Sequence, residues 1–242
     1  MSTRRGFIAG VVAAAALPWR GDAGSAPAAL AFTMVNAELS GPDWSASVVY
    51  PRFRGGSPLA ALANQTLRRE VDVAEKFGRD AAAQFKSLGR PTAPYYYDSA
   101  AAVSLADSSL VSAYFTTENY TGGAHPNHNF VAHTIGIVRS RPAAVTLQDV
   151  FRPEVNGPAA VSDMLMTRLR GDPLATFVRD GTVKSIEPAA ASVFVVTPST
   201  LAFLLPPYAV APYVNGSFVV KIPFAEFGGR LDPYGPLRPV LK

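Results

Sequence analysis

The chain has 242 residues, 48% of them hydrophobic and 17% charged, with a formal net charge of +4 and no cysteine. That composition is globular, and a chain of this length buries roughly 70% of the surface its unfolded form exposes, so its core needs no covalent staples. The lack of cysteine excludes disulfides, thiolate metal sites, cysteine nucleophiles and a lipid-modified N-terminal cysteine.

The N-terminal segment reads as an export signal. Arg4 and Arg5 precede a short Gly/Ala-rich apolar run from Ile8 to Leu17, and Pro18 with a Gly/Ser/Pro segment follows at once. The run is far shorter than the roughly 20 residues a membrane helix needs. Paired arginines in this place resemble a twin-arginine signal, whose pathway carries proteins already folded. Ala29-Leu30-Ala31 offers a small-x-small cleavage site, with Ala23 and Ala26 as alternatives. Residues 1–31 are therefore expected to be removed, and the mature protein to be periplasmic or extracellular. They hold Arg4, Arg5, Arg20 and Asp22; taking these from 22 basic and 18 acidic groups leaves 19 and 17, a net of +2. A nearly neutral surface argues against nucleic acid as a partner. No later apolar run reaches 18 residues, so no membrane span is expected in the mature chain.

Phe32 to Leu39 and Trp44 to Tyr50 read as strands around the turn Ser40-Gly41-Pro42-Asp43. Ser57-Pro58 opens the longest predicted helix. Serine suits the N-cap, and proline suits the first helical position, where its missing N–H costs nothing. Ala63, Leu67, Val71, Ala74, Ala81 and Phe85 form its apolar stripe; Arg68, Arg69, Asp72, Glu75, Lys76 and Arg79 form a wetted face. Gly78 costs about 1 kcal/mol relative to alanine in a helix interior, so a kink or early end is expected there. Gly89-Arg90-Pro91 ends the helix. Tyr95 to Leu105 is the next strand. Its three consecutive tyrosines divide between the sheet faces and offer an aromatic platform for a sugar ring, with edge packing as the plainer role.

Ser109 to Asn119 and Asn129 to Arg139 are strand-like runs flanking Gly122-Gly123, which argues for a hairpin with residues 124–129 as extra loop. Arg141-Pro142 breaks the second strand, and Ala144 to Phe151 is a connecting piece. Pro158 to Arg170 is a second amphipathic helix, carrying Val161, Leu165 and Leu169 on one face and closed by Gly171-Asp172-Pro173. Ser192 to Thr197, Thr200 to Leu205 and Ser217 to Pro223 read as strands, the last two joined by a loop stiffened by Pro206, Pro207 and Pro212. The Gly/Pro-rich tail beyond Gly228 is expected to fray. The sum is α+β: a mainly antiparallel sheet with one long and one shorter amphipathic helix packed on it.

All three histidines, His125, His128 and His133, fall within nine residues. As a set they suggest a zinc or copper site, because three imidazoles leave a coordination position for an activated water. The spacing matches no ligand signature, however, and His133 shares a strand face with Val131, Ile135 and Ile137. A ring of His125 bonded to nearby backbone explains Gly-Gly-Ala-His without metal. Glu118 and Asp149 are the carboxylates a hydrolase would pair with His125. Yet the chain has no Gly-x-Ser-x-Gly elbow and no nucleophile placed beside an oriented base, and Asp149 suits a turn cap. Gly122 and Gly123 supply positive φ angles and set His125 and Asn127 at an exposed tip.

Three ordered motifs carry a family resemblance. Tyr120-Thr121-Gly122-Gly123-Ala124-His125, Thr146-Leu147-Gln148-Asp149-Val150-Phe151, and Tyr208-Ala209-Val210-Ala211-Pro212-Tyr213-Val214-Asn215-Gly216 resemble the extracytoplasmic RsiV-type module. That module occurs in a lysozyme-sensing anti-sigma factor, and its N-terminal half precedes the catalytic domain of PdaC-type peptidoglycan deacetylases. Tyr50-Pro51 and the helix containing Asn64 are similar to its first half. The resemblance implies a PdaC N-terminal-like half over residues 32–142, an RsiV C-terminal-like half over 143–231 and a tail over 232–242. It implies an α+β receptor surface in the cell envelope. The sigma-binding segment, the membrane helix and the deacetylase domain are not matched, so neither sigma signalling nor deacetylation carries over.

The expected function is a non-enzymatic binding or sensing module with no cofactor. Its ligand would be cell-wall glycan or an envelope protein such as a lysozyme-like one, and its binding residues Tyr120, Gly122, Gly123, His125, Asn127, His128, Tyr208 and Tyr213. The rival is a zinc-dependent or hydrolytic enzyme acting on cell-wall glycan through His125, His128 and His133.

Overall fold

The computed structural model describes residues 28–89 and 93–241. Residues 1–27 of the expected signal, with Arg4, Arg5 and the cleavage candidates Ala23 and Ala26, lie outside the described residues. The α+β expectation holds. Strands β1 (Phe32–Gly41), β2 (Trp44–Phe53), β3 (Tyr95–Ala106), β4 (Leu110–Tyr120), β5 (Asn127–Val138) and β6 (Arg141–Ala144) form one sheet in sequence order. Every neighbouring pair is antiparallel except β2 and β3, which run parallel because helix α1 (Pro58–Leu88) carries the chain across between them.

Helix α1 begins as its residues dictate. The Ser57 hydroxyl accepts from the Ala60 N–H at 3.1 Å and Pro58 follows it. The expected break at Gly78 does not occur, and the helix runs 31 residues to Leu88. Gly78 has another purpose. A Cβ there would overlap the Trp44 indole, so the missing side chain lets β2 dock closely on the helix. Asn64 ties the same two elements together: its amide accepts from Phe53 N–H at 2.7 Å and donates to Phe53 O at 3.0 Å. Leu59, Ala60, Ala63, Leu67, Val71 and Ala74 bury against Ala46, Val48, Val111, Ala113, Phe115 and Ile135 on one face of the sheet.

Pro142 does not end the sheet. Arg139 and Ser140 both adopt positive φ, at 49° and 65°, and make a two-residue hairpin turn after which residues 141–144 return beside β5. The proline sits on this outer strand, where no ladder hydrogen bond is demanded of it.

The second half holds α2 (Gly157–Arg170), two short helices α3 (Thr176–Arg179) and α4 (Pro188–Ala191), and a three-stranded antiparallel sheet of β7 (Phe194–Val196), β8 (Thr200–Leu205) and β9 (Phe218–Pro223). Val161, Leu165 and Leu169 of α2 pack on Phe194, Leu201, Phe203, Leu205 and Phe227. Asp149 accepts from the N–H and hydroxyl of Thr146 at 2.8 and 2.6 Å, closing the turn that the sequence suggested it would cap. The tail departs from expectation. Leu237 is fully buried in this core, Val240 and Leu241 pack against it, and Asp232 N–H bonds to Val150 O at 3.0 Å.

The two sheets meet face to face. Val195, Ala202 and Leu204 pack against Tyr114, Phe130 and Ala132 on the sheet face opposite α1. Hydroxyls stitch the contact: Val196 N–H donates to Ser112 Oγ at 2.9 Å, and Ser104 Oγ donates to Val196 O at 2.8 Å. The small sheet therefore covers only one end of that face. The end towards the β4–β5 turn is left open.

Candidate functional site

At the open end, strand pairing lines up one residue from each of five strands. Glu38 lies opposite Ser47, Ser47 opposite Asp98, Asp98 opposite Glu118, and Glu118 opposite His128. Directly paired residues share a sheet face, so these five make a polar row roughly 19 Å long across the strands at the usual strand spacing. Tyr96 and Tyr120, themselves a cross-strand pair, stack beside the row with ring centroids 6.0 Å apart.

Glu118 is the centre of the row. Its carboxylate accepts from the Tyr96 hydroxyl at 2.5 Å and lies 3.3 Å from His128 Nδ1. Desolvation and then this carboxylate push the Tyr96 hydroxyl up to about 12, so it stays a donor at any physiological pH. Asp98 is exposed but faces Glu118 directly. Partial desolvation and then the neighbouring negative charge hold its carboxyl above the usual range.

The β4–β5 loop stands at one end of the row. Gly122 and Gly123 adopt φ of 91° and 111°, as the turn demands of them. Pro126 O accepts from both His125 Nδ1, at 2.8 Å, and the Tyr213 hydroxyl, also at 2.8 Å. Because a carbonyl only accepts, Nδ1 carries the hydrogen in the neutral ring and Nε2 is left as an acceptor. The Tyr208 hydroxyl lies 3.4 Å from that Nε2. The His125 ring stacks on Tyr213 with centroids 4.0 Å apart, and Tyr208 and His128 flank Tyr213 at 5.6 and 5.8 Å. Tyr208 is 57% exposed and has φ of 68°, a conformation seldom tolerated by an aromatic residue. Val214 and Leu174, 88% and 55% exposed, extend this end into an apolar rim, with Asn215 bonded to Leu174 O.

The structure thus gathers Tyr120, His125, His128, Tyr208 and Tyr213 into one neighbourhood. Asn127 is exposed but stands one residue before His128 on β5, so alternation turns it to the other face. The histidine triad considered from the sequence is not assembled. His133 is five residues from His128 on the same strand and therefore on the α1 face, edge-on to Phe115 at 6.3 Å. His125 and His128 spend Nδ1 on a carbonyl and on Glu118. Among the described residues no group of three His, Cys, Asp or Glu side chains is placed to hold a metal ion. Glu118 pairs with His128 and not His125, and no serine or threonine hydroxyl bonds a histidine among the described residues.

Ser47, Asp98 and Glu38 were not visible as site residues in the sequence, and Glu118 was considered only as a partner for His125. Strand alternation shows which residues share a face within one strand, but only the register shows which strand positions adjoin.

Two family models match separate stretches of the chain. Residues 43–128 match the family "Deacetylase PdaC", and residues 148–225 match the "Protein of unknown function (DUF3298)" family. The chain carries a PdaC domain followed by a DUF3298 domain. This is consistent with the PdaC/RsiV-type module that its motifs resemble. The PdaC match holds Ser47, Asp98, Glu118 and His128 of the row together with His125, Glu38 lies just ahead of it, and the DUF3298 match holds Tyr208 and Tyr213. Crystal structures of two DUF3298 family proteins share the fold. One, from Bacteroides fragilis NCTC 9343, has a TM-score of 0.57 and 15% identity over 88% of this chain and 97% of that one. The other, from Pseudomonas aeruginosa PAO1, has a TM-score of 0.59 and 17% identity over 84% and 95%. No curated protein matches the chain. No helix among the described residues is long and apolar enough to cross a membrane.

Proposed function

We propose that the protein is an exported, non-catalytic binding module of the cell envelope, and that its recognition surface is the open sheet end bounded by His125, Tyr208 and Tyr213. The observation that carries this reading is the convergence of two segments 83 residues apart on one exposed stack of rings. A left-handed tyrosine whose ring faces solvent is conformational strain held in place by its surroundings, and such strain concentrates at binding sites. The ligand this surface suits is cell-wall glycan. Tyrosine and imidazole faces take the apolar side of a sugar ring, and the row of Ser47, Asp98, Glu118 and His128 offers donors and acceptors for its hydroxyls. A lysozyme-like protein is the second ligand, supported by the carboxylates Glu38, Asp98 and Glu118, which give a basic surface something local to meet despite the nearly neutral whole.

The test is sedimentation of the purified protein with insoluble cell-wall glycan, beside a solution titration with lysozyme. Retention on glycan that falls at least tenfold in Tyr213→Ala and Tyr208→Ala is the expected result. Release of sugar, peptide or acetate from the glycan would refute the non-catalytic reading. Binding to lysozyme alone would replace the ligand and keep the surface.

A further inference from the structure

The segment immediately ahead of β1, which includes the small-x-small stretch Ala29-Leu30-Ala31, is tied into the fold. Ala28 O accepts from Ser108 N–H at 3.0 Å, Leu30 N–H donates to Ala106 O at 3.1 Å, and Ala29 makes an antiparallel bridge with Asp107. On the other side, Ala31 O accepts from Arg54 N–H at 2.8 Å. The Leu30 side chain packs on the core under α1. These four residues are a clasp. They tie the β3–β4 turn, itself organised by three hydrogen bonds to the buried Asp107 carboxylate, to the corner between β2 and α1.

We infer that the clasp belongs to the mature protein and that the export peptidase cuts ahead of Ala28, leaving Ala29-Leu30-Ala31 intact although it has the small-x-small form. This inference rests on the export reading above. A peptidase must hold the bond it cuts in an extended, unpaired stretch of chain, and here both neighbours of the Ala31–Phe32 bond are committed. Leu30 and Ala31 are hydrogen-bonded to separate parts of the fold, and Phe32 pairs with Phe53 in β1. A protein translocated already folded, as by the twin-arginine route, meets the peptidase with the clasp closed, so the bonds from Ala28 to Phe32 are held in the fold and away from a cleft. Cutting after Ala31 would also leave Ser108 N–H, Ala106 O and Arg54 N–H without the partners they have here. Upstream, Ala23 and Ala26 each place a small residue ahead of the scissile bond. The step is amide hydrolysis. Water adds across the bond, the released signal keeps the carboxylate, and the mature chain gains the new α-ammonium, with no other reactant.

The experiment is intact-mass measurement with N-terminal sequencing of the full-length chain expressed in an exporting host and recovered from the envelope fraction. A new N-terminus at Gly24 or Pro27 is expected, and one at Phe32 would overturn the inference while leaving export standing. A full-length, uncut chain in that fraction would overturn the cleaved-signal reading and this inference together. A second variant separates the sites directly. Ala31→Arg puts a large charged residue beside the rejected bond, where a peptidase reading small residues would stall. The expected outcome is unchanged processing, and accumulation of the uncut chain would show that the bond after Ala31 is the one used.

Discussion

Gly78 lies so close beneath the Trp44 indole that the helix surface there has no room for a methyl group. Alanine would normally stabilise a helix interior by about 1 kcal/mol over glycine. Here forced overlap with a rigid ring costs about 1–3 kcal/mol and outweighs that gain. Gly78→Ala is therefore expected to lower the urea midpoint without changing the slope. In a Trp44→Ala background the same substitution is expected to raise it, because the propensity term then acts alone.

Asp98 and Glu118 face one another across β3 and β4 as like charges. A carboxyl whose folded pKa is raised binds more protons folded than unfolded between the ordinary and the raised value, so stability falls as pH climbs through that window. Asp98→Asn is thus expected to stabilise the protein at pH 7, by under about 1 kcal/mol because the site is exposed and screened. The advantage should disappear near pH 3, in thermal melts at the two pH values. If the polar row binds ligand, the same variant should weaken retention on glycan.

His133 is the opposite case. Burial against the α1 face and then the Arg69 charge hold its pKa below the ordinary value. Unfolding lets the ring take up a proton, so stability is lost as pH falls below about 6.5 towards the depressed value. His133→Leu should flatten the stability profile between pH 7 and pH 5, measured by denaturant unfolding at half-unit steps. An unchanged slope would show that another group sets it.

Tyr208 is held at φ of 68°. Glycine takes that conformation freely and alanine does not, so Tyr208→Gly is expected to be more stable than Tyr208→Ala by about 1 kcal/mol, although both lose the same ring. Both should bind ligand equally poorly. Equal stability of the two variants would remove the argument that the backbone there is strained.

The long helix was legible because its start is written in side chains, Ser57 and Pro58, and its inner face in spacing. The return strand β6 was not, because Arg139 and Ser140 make a left-handed turn without the Asn-Gly that usually announces one. The tail looked loose by composition, yet Leu237 is fully buried, since its partners lie on distant α2 and the small sheet. At the site, alternation alone separated His133 from His128. The pairing of Asp98 with Glu118 needed the register, and that of His125 with Tyr208 and Tyr213 needed the docking of the two domains. The motifs that carried the family resemblance named those rings without saying that they touch.

The hydroxyls of Ser104 and Ser112 reach Val196 O and N–H. Strand β7 is an outer strand of its sheet, and outer strands are where foreign chains add themselves and aggregation begins. At Val196, side chains from the larger sheet already occupy the backbone groups that an invading strand would seek. The same pair of serines that joins the halves also blunts an edge, so replacing either with alanine would leave the protein more inclined to self-association as well as more loosely assembled.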